Sequence, residues 1–259
     1  MAQSWPLKRV GLRVRDLEAS IAYYRQLGFA IVRDQHVEGI VGMGVGEQEI
    51  LALRHTPDAR PRPAHTAGLY HFAILLPGET DLGTFLRHSL QEGSVRIDGA
   101  SDHLVSQALY LNDPEGNGIE VYADRPREQW PLNAGKPRMD TIRLNAEALL
   151  AKARTFSGFP EGTILGHMHL NVSDLDESIA YYQHTFGLEL MVNLYHQAGF
   201  VSWDGYHHHL GLNTWAGPNA AHHEADVSGI DFFEIARPGL QPGTYTDPNG
   251  VTVVVTASE

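Results

Sequence analysis

The sequence predicts an α+β chain of four related modules, each a strand, a helix and three further strands, with the last module cut short. Three observations carry this expectation. The segment "LRVRDLEASIAYYRQLGF" from Leu12 returns as "LNVSDLDESIAYYQHTFGL" from Leu170. Leu12, Val14, Asp16, Leu17, Ser20, Ile21, Ala22, Tyr23 and Tyr24 reappear as Leu170, Val172, Asp174, Leu175, Ser178, Ile179, Ala180, Tyr181 and Tyr182, so one supersecondary unit is present twice. A fainter repeat relates "LYHFAILLPG" (69–78) to "GIDFFEIARPG" (229–239), and "YLNDPEGNGIEVY" (110–122) to "YTDPNGVTVVV" (245–255). Finally, the hydrophobic period switches inside each unit from two to about 3.6 and back.

Module one spans 7–55. Its first strand runs up to Val14, and a helix follows from Leu17. Module two spans 68–123, from the strand at Leu69 to the strand after the Asp113-Pro114 turn, where Asn112, Asp113, Asn117 and Gly118 read as turn residues. Residues 124–162 form a linker: "DRPREQWPLNAGKPRMDT" is Pro-rich, and "NAEALLAKA" predicts a short helix. Module three spans 163–215. Leu170 and Val172 alternate with polar residues as in a half-buried strand, and Ser173 and Asp174 offer oxygens for a helix N-cap. Leu175, Ile179, Tyr182 and Phe186 then recur at helical spacing before Gly187. The runs "ELMVNLYH", "GFVSW" and "HHLGLN" read as strands. Module four spans 228–257, and the interval between Pro238 and Tyr245 is too short for a helix and another strand. In chain order the modules fall into an N-terminal pair within 1–123 and a C-terminal pair within 163–259.

The 259 residues suffice for a substantial core, and 42% apolar against 19% charged residues is ordinary for a globular protein. A formal charge of −12 argues against nucleic acid or an anionic membrane as partner. No apolar run is long enough to span a bilayer, and the N-terminus has no apolar signal core, so the expected location is cytoplasmic. Cysteine is absent and histidine numbers 15, so any metal would be held by His, Asp and Glu.

Together, "GHMHLNVSDLDESIAYY", "LYHFAILLPG", "LYLNDPEGNGIEVYADRP" and "YHHHLGLN" resemble the vicinal oxygen chelate superfamily (glyoxalases, bleomycin resistance proteins and extradiol dioxygenases), and within it the catechol 2,3-dioxygenase branch. The resemblance covers almost the whole chain. The first motif alone fits the entire superfamily; the combination is more specific. It implies that modules pair into two half-open barrels, each able to cup one metal between first and last strands. It also implies two histidines and a glutamate as ligands, a set suited to non-haem Fe(II), with Mn(II) compatible with the same donors.

First strands offer Arg9, His71, His167 and, depending on register, Asp231 or Phe232; last strands offer Glu120 in module two and Val254 in module four. Pairing modules three and four, the usual extradiol arrangement, leaves His167 without a glutamate. Pairing modules two and three assembles His71, Glu120 and His167 as metal ligands and leaves modules one and four as an inert barrel. The resemblance implies Tyr110, ten residues before Glu120, as hydrogen-bond partner of the bound substrate, and His103 as a second contact, although its spacing departs from the common one. It implies His208 as acid–base residue. His207 and His209 fall on the opposite strand face, and a one-residue slip would substitute His209 for His208. His169 reads as a pocket-lining or core residue, and His222 and His223 as solvated loop residues.

The activity implied is ring cleavage of a small aromatic diol by O2 beside the diol, giving a semialdehyde. Alternatives are a glyoxalase-like isomerase or thiol transferase with another divalent metal, a non-catalytic binding module, and cleavage of a hydroquinone-type ring. Open sheet edges favour a homo-oligomer.

Overall fold

A computed structural model describes residues 5–93, 95–194 and 196–258. Module one comprises β1 (Leu7–Val14), α1 (Leu17–Leu27), β2 (Ala30–Gln35), β3 (Ile40–Val45) and β4 (Gln48–His55). Module two comprises β5 (Gly68–Leu76), α2 (Glu79–Glu92), β6 (Gly99–Asp102), β7 (Ser106–Asn112) and β8 (Gly118–Asp124). The linker holds a small hairpin, β9 (Leu132–Asn133) and β10 (Lys136–Pro137), then α3 (Ala146–Lys152). Module three comprises β11 (Ile164–Asn171), α4 (Leu175–Phe186), β12 (Glu189–Leu194), β13 (Ala198–Ser202) and β14 (Leu210–Asn213), and module four β15 (Gly229–Ala236), β16 (Gly243–Thr246) and β17 (Thr252–Thr256). Tyr195, within the run read as the strand "ELMVNLYH", lies outside the described residues.

The repeated sequence makes repeated local structure. Asp16 caps α1 by accepting from the Ala19 amide, and Asp174 caps α4 by accepting from the Glu177 amide, both at 2.9 Å. Leu17, Ile21, Tyr24 and Leu27 turn one face of α1 inward, and Leu175, Ile179, Tyr182 and Phe186 do the same for α4. Ser173, the other cap candidate, instead donates its amide to Asn249.

The strands form two large curled sheets. One runs β16-β17-β15-β1-β4-β3-β2, the other β12-β13-β14-β11-β5-β8-β7-β6. In each, two first strands meet antiparallel at the centre: β1 with β15, and β11 with β5. Modules one and four therefore share one half-barrel and modules two and three the other. The sheets cross the chain-order pairing of modules.

The Asp-Pro turns do more than reverse the chain. Asp113 accepts a 2.9 Å hydrogen bond from the buried Tyr24 hydroxyl, and Asp247 a 3.0 Å bond from Tyr182. Each bond ties the helix of one half-barrel to a turn of the other. Removing either hydroxyl takes one hydrogen bond from a buried carboxylate, which keeps only its neighbouring asparagine on that oxygen, so Tyr24→Phe and Tyr182→Phe should each cost about 1–3 kcal/mol in chemical denaturation. Wild-type stability in both variants would show that these bridges contribute nothing.

The run "HHLGLN" is only partly strand. β14 starts at Leu210, and residues 203–209 form a turn in which Asp204 and Gly205 take positive φ of 54° and 62°. The alternation expected for the three histidines therefore fails: His207 and His208 lie side by side rather than on opposite faces.

Candidate metal centre

β5 and β11 are antiparallel neighbours with His71 opposite His169, so His167, two residues back on the same face, lies diagonally beside His71. β8 runs parallel to β5 and sets Glu120 beside Ala73, the residue opposite His167. The backbone register thus converges the three side chains. His71 Nε2 lies 3.0 Å and His167 Nε2 3.2 Å from Glu120 Oε2, and the two nitrogens are 3.3 Å apart. All three residues are buried. Donors bound to one ion at about 2.1 Å and at right angles lie about 3 Å from one another, so this cluster fits a metal in two-histidine, one-carboxylate coordination.

The surroundings keep the donors ready. Burial opposes the charge of Glu120, but His167 and His71 overcome it and hold the carboxyl well below the usual range. Burial lowers His167 to about 4, leaving a neutral imidazole at pH 7. Burial likewise holds His169, His208 and His209 well below the ordinary value. Among these buried histidines the unfolded chain takes up protons first, near 6.5. Metal-free protein should therefore be stable above about pH 6.5 and lose stability progressively down to about pH 4, with on the order of 2 kcal/mol lost at pH 5 through His167 alone. Thermal melts across that range check this; a melting temperature flat between pH 7 and 4.5 contradicts it.

Gly166 lets β11 approach Tyr122 closely: a Cβ there would lie 2.1 Å from the Tyr122 hydroxyl. Tyr122 packs on the His167 ring with centroids 4.8 Å apart and hydrogen-bonds Tyr206 at 2.9 Å. Tyr110, on β7 directly opposite Glu120, approaches the centre with its ring 5.8 Å from that of His71. His103 Nε2 lies 2.6 Å from the Tyr110 hydroxyl and its Nδ1 3.0 Å from the Asp140 carbonyl. That carbonyl takes the Nδ1 proton, so Nε2 accepts from Tyr110, and His103 acts on the centre through the tyrosine. Burial and Glu120 raise Tyr110 well above the usual phenol value.

His208 packs its ring, tilted, 4.1 Å from that of His167 and edge-on 4.8 Å from Phe200. His209 turns away, its Nδ1 2.7 Å from the Ser202 hydroxyl. His169 is buried beside His71, ring to ring at 4.8 Å, with Nε2 lacking a partner among the described residues. His222 is exposed, whereas His223, expected in solvent, is fixed by Arg13 at 2.5 Å and the Ile230 carbonyl at 2.7 Å.

A sequence model described as "Glyoxalase/Bleomycin resistance protein/Dioxygenase superfamily" matches residues 7–121 and 164–237. The chain belongs to this superfamily. A catechol-2,3-dioxygenase of Bacillus subtilis (strain 168) is 41% identical over 235 residues, covering 88% of this chain and 81% of that protein. Among solved structures, glyoxalase I from Zea mays superposes with a TM-score of 0.59 at 17% identity, covering 97% of this chain and 92% of its own. The cppA protein from Streptococcus pneumoniae TIGR4 gives 0.53 at 12% identity, covering 99% of each chain. These two likenesses concern the fold.

In this superfamily member the other half-barrel has no such cluster among the described residues. The repeat equates Arg9 with His167 and Gly11 with His169; since Gly11 pairs with Phe232, Phe232 takes the place of His71. The register question is thereby resolved against Asp231, which instead accepts from Arg13 and Arg54. Arg9 is held at 2.6 Å by both Glu49 and Glu234. Ion pairs fill the counterpart of the metal position. The sequence carries no signal for this network, nor for Tyr122, Tyr206 and Asp124 around the histidines, because their contacts cross long stretches of chain.

Proposed function

We propose that the protein is an extradiol ring-cleaving dioxygenase: it inserts both atoms of O2 into a small catechol and breaks the ring bond beside the diol, giving a semialdehyde. The observation that carries the reading is the buried His71–Glu120–His167 cluster, supported by 41% identity to a catechol-2,3-dioxygenase across most of the chain. The three side chains would hold Fe(II), with Mn(II) fitting the same donors, and the ion would supply Lewis acidity and a shared template for diol and O2.

Each surrounding residue has a task. The Tyr110 hydroxyl, its proton directed to His103 Nε2, accepts a hydrogen bond from a substrate hydroxyl. Neutral His208 takes the proton of one diol hydroxyl and returns it as the ring opens. Burial of the histidine and tyrosine rings excludes water from the reacting atoms. No external reductant is needed, since the diol supplies the electrons and every atom of catechol and O2 remains in the product.

Labelled dioxygen tests the reaction class. Turnover of catechol under 18O2 by the Fe(II)-loaded protein should give a product carrying two labelled oxygens. A product without label, or no product from protein shown to contain iron, would overturn the reading in favour of an isomerase or transferase.

A further inference from the structure

β8 carries Glu120, Tyr122 and Asp124 on one face, each two residues from the next. Glu120 reaches the metal cluster and Tyr122 packs on His167. Asp124 Oδ1 lies 2.9 Å from His207 Nε2, and His207 Nδ1 lies 2.8 Å from His208 Nδ1. His207 is fully buried, clamped by Tyr206 with ring centroids 4.0 Å apart and by Trp130 at 5.2 Å. The positive φ at Asp204 and Gly205 permits this side-by-side arrangement of consecutive histidines.

We propose that Asp124 and His207 are positioning residues that fix the tautomer and orientation of His208; the effect on turnover rests on the ring-cleavage reading. An ionised carboxylate only accepts, so the His207 proton sits on Nε2 and its Nδ1 is bare. A 2.8 Å contact between two nitrogens requires one proton between them, and His208 Nδ1 supplies it. The remaining nitrogen of His208, Nε2, is then free of hydrogen and able to receive the substrate proton. A carboxylate behind an imidazole holding one tautomer has the same logic as in the serine protease triad. Here the control is exerted through an intervening second imidazole.

Asp124→Asn tests the chain of donors. The amide can present N–H to His207 and reverse every step, placing the His208 proton on Nε2. Imidazole nitrogen–proton correlation spectra of the full chain loaded with diamagnetic Zn(II) read the tautomer without any turnover. The wild type should show His208 protonated on Nδ1, and Asp124→Asn should move the proton to Nε2. With Fe(II), Asp124→Asn should lower kcat by about 10–100-fold, with KM for catechol and metal content unchanged, while Asp124→Glu recovers activity. His207→Gln supplies a second reading if Asp124→Asn folds poorly: His208 should lose its single tautomer. Wild-type His208 protonated on Nε2, or variants that leave both tautomer and kcat unchanged, would overturn the proposal. A tautomer shift in protein that never consumes O2 with catechol would uphold the pair and instead refute the ring-cleavage reading.

Discussion

Glu120→Ala should abolish metal retention and O2 consumption together. Glu120 Oε2 sits within 3.2 Å of the Nε2 atoms of both His71 and His167 and belongs to the one carboxylate of the candidate cluster. Its loss leaves two neutral imidazoles, which cannot compensate the charge of a divalent ion in a buried site. Losing a group that merely supports a ligand typically weakens metal binding about 10–100-fold; losing the ligand itself should exceed about 100-fold. Elemental analysis after dialysis, beside circular dichroism to confirm folding, checks it. His71→Ala and His167→Ala should follow the same pattern, because the three donors come from neighbouring strands of one sheet. A folded Glu120→Ala protein with full metal content would show that the cluster is not the binding site.

His208→Ala should behave differently. Its ring lies against His167 without belonging to the donor cluster, so metal content should persist while kcat falls by about 10²–10⁴-fold, the range for loss of a general acid–base group. His209→Ala makes the control within the same triple. Its ring hydrogen-bonds Ser202 and Trp203 and packs between Trp5 and Tyr206, away from the donor cluster, so its loss should lower stability and spare kcat in protein that remains folded. A His208→Ala enzyme turning over at the wild-type rate with iron bound would remove His208 from the mechanism.

What the sequence makes readable follows physical lines. The duplicated helix and its Asp cap are local, so their pattern survives in the chain. The two-residue period of the strands then aims His71, His167 and Glu120 toward a common face. The pairing of modules two and three is readable only through the family resemblance, which implies the ligand types sought at those strand positions. The tyrosine–aspartate bridges have no such trace: Tyr24 and Asp113 are 89 residues apart and read singly as core and turn. The histidine triple misleads for a local reason. Alternation holds only in extended backbone, and the left-handed turn at Asp204 and Gly205 breaks it. The Asp124 contact spans 83 residues, with no periodic signal linking the partners.

The most direct test is an oxygen-electrode trace on protein reconstituted anaerobically with Fe(II), given catechol and then air. Uptake of one O2 per catechol with formation of the yellow ring-fission product, absent from Glu120→Ala, is the result the His71–Glu120–His167 centre predicts. Protein that holds iron at this centre yet takes up no oxygen with catechol would contradict it.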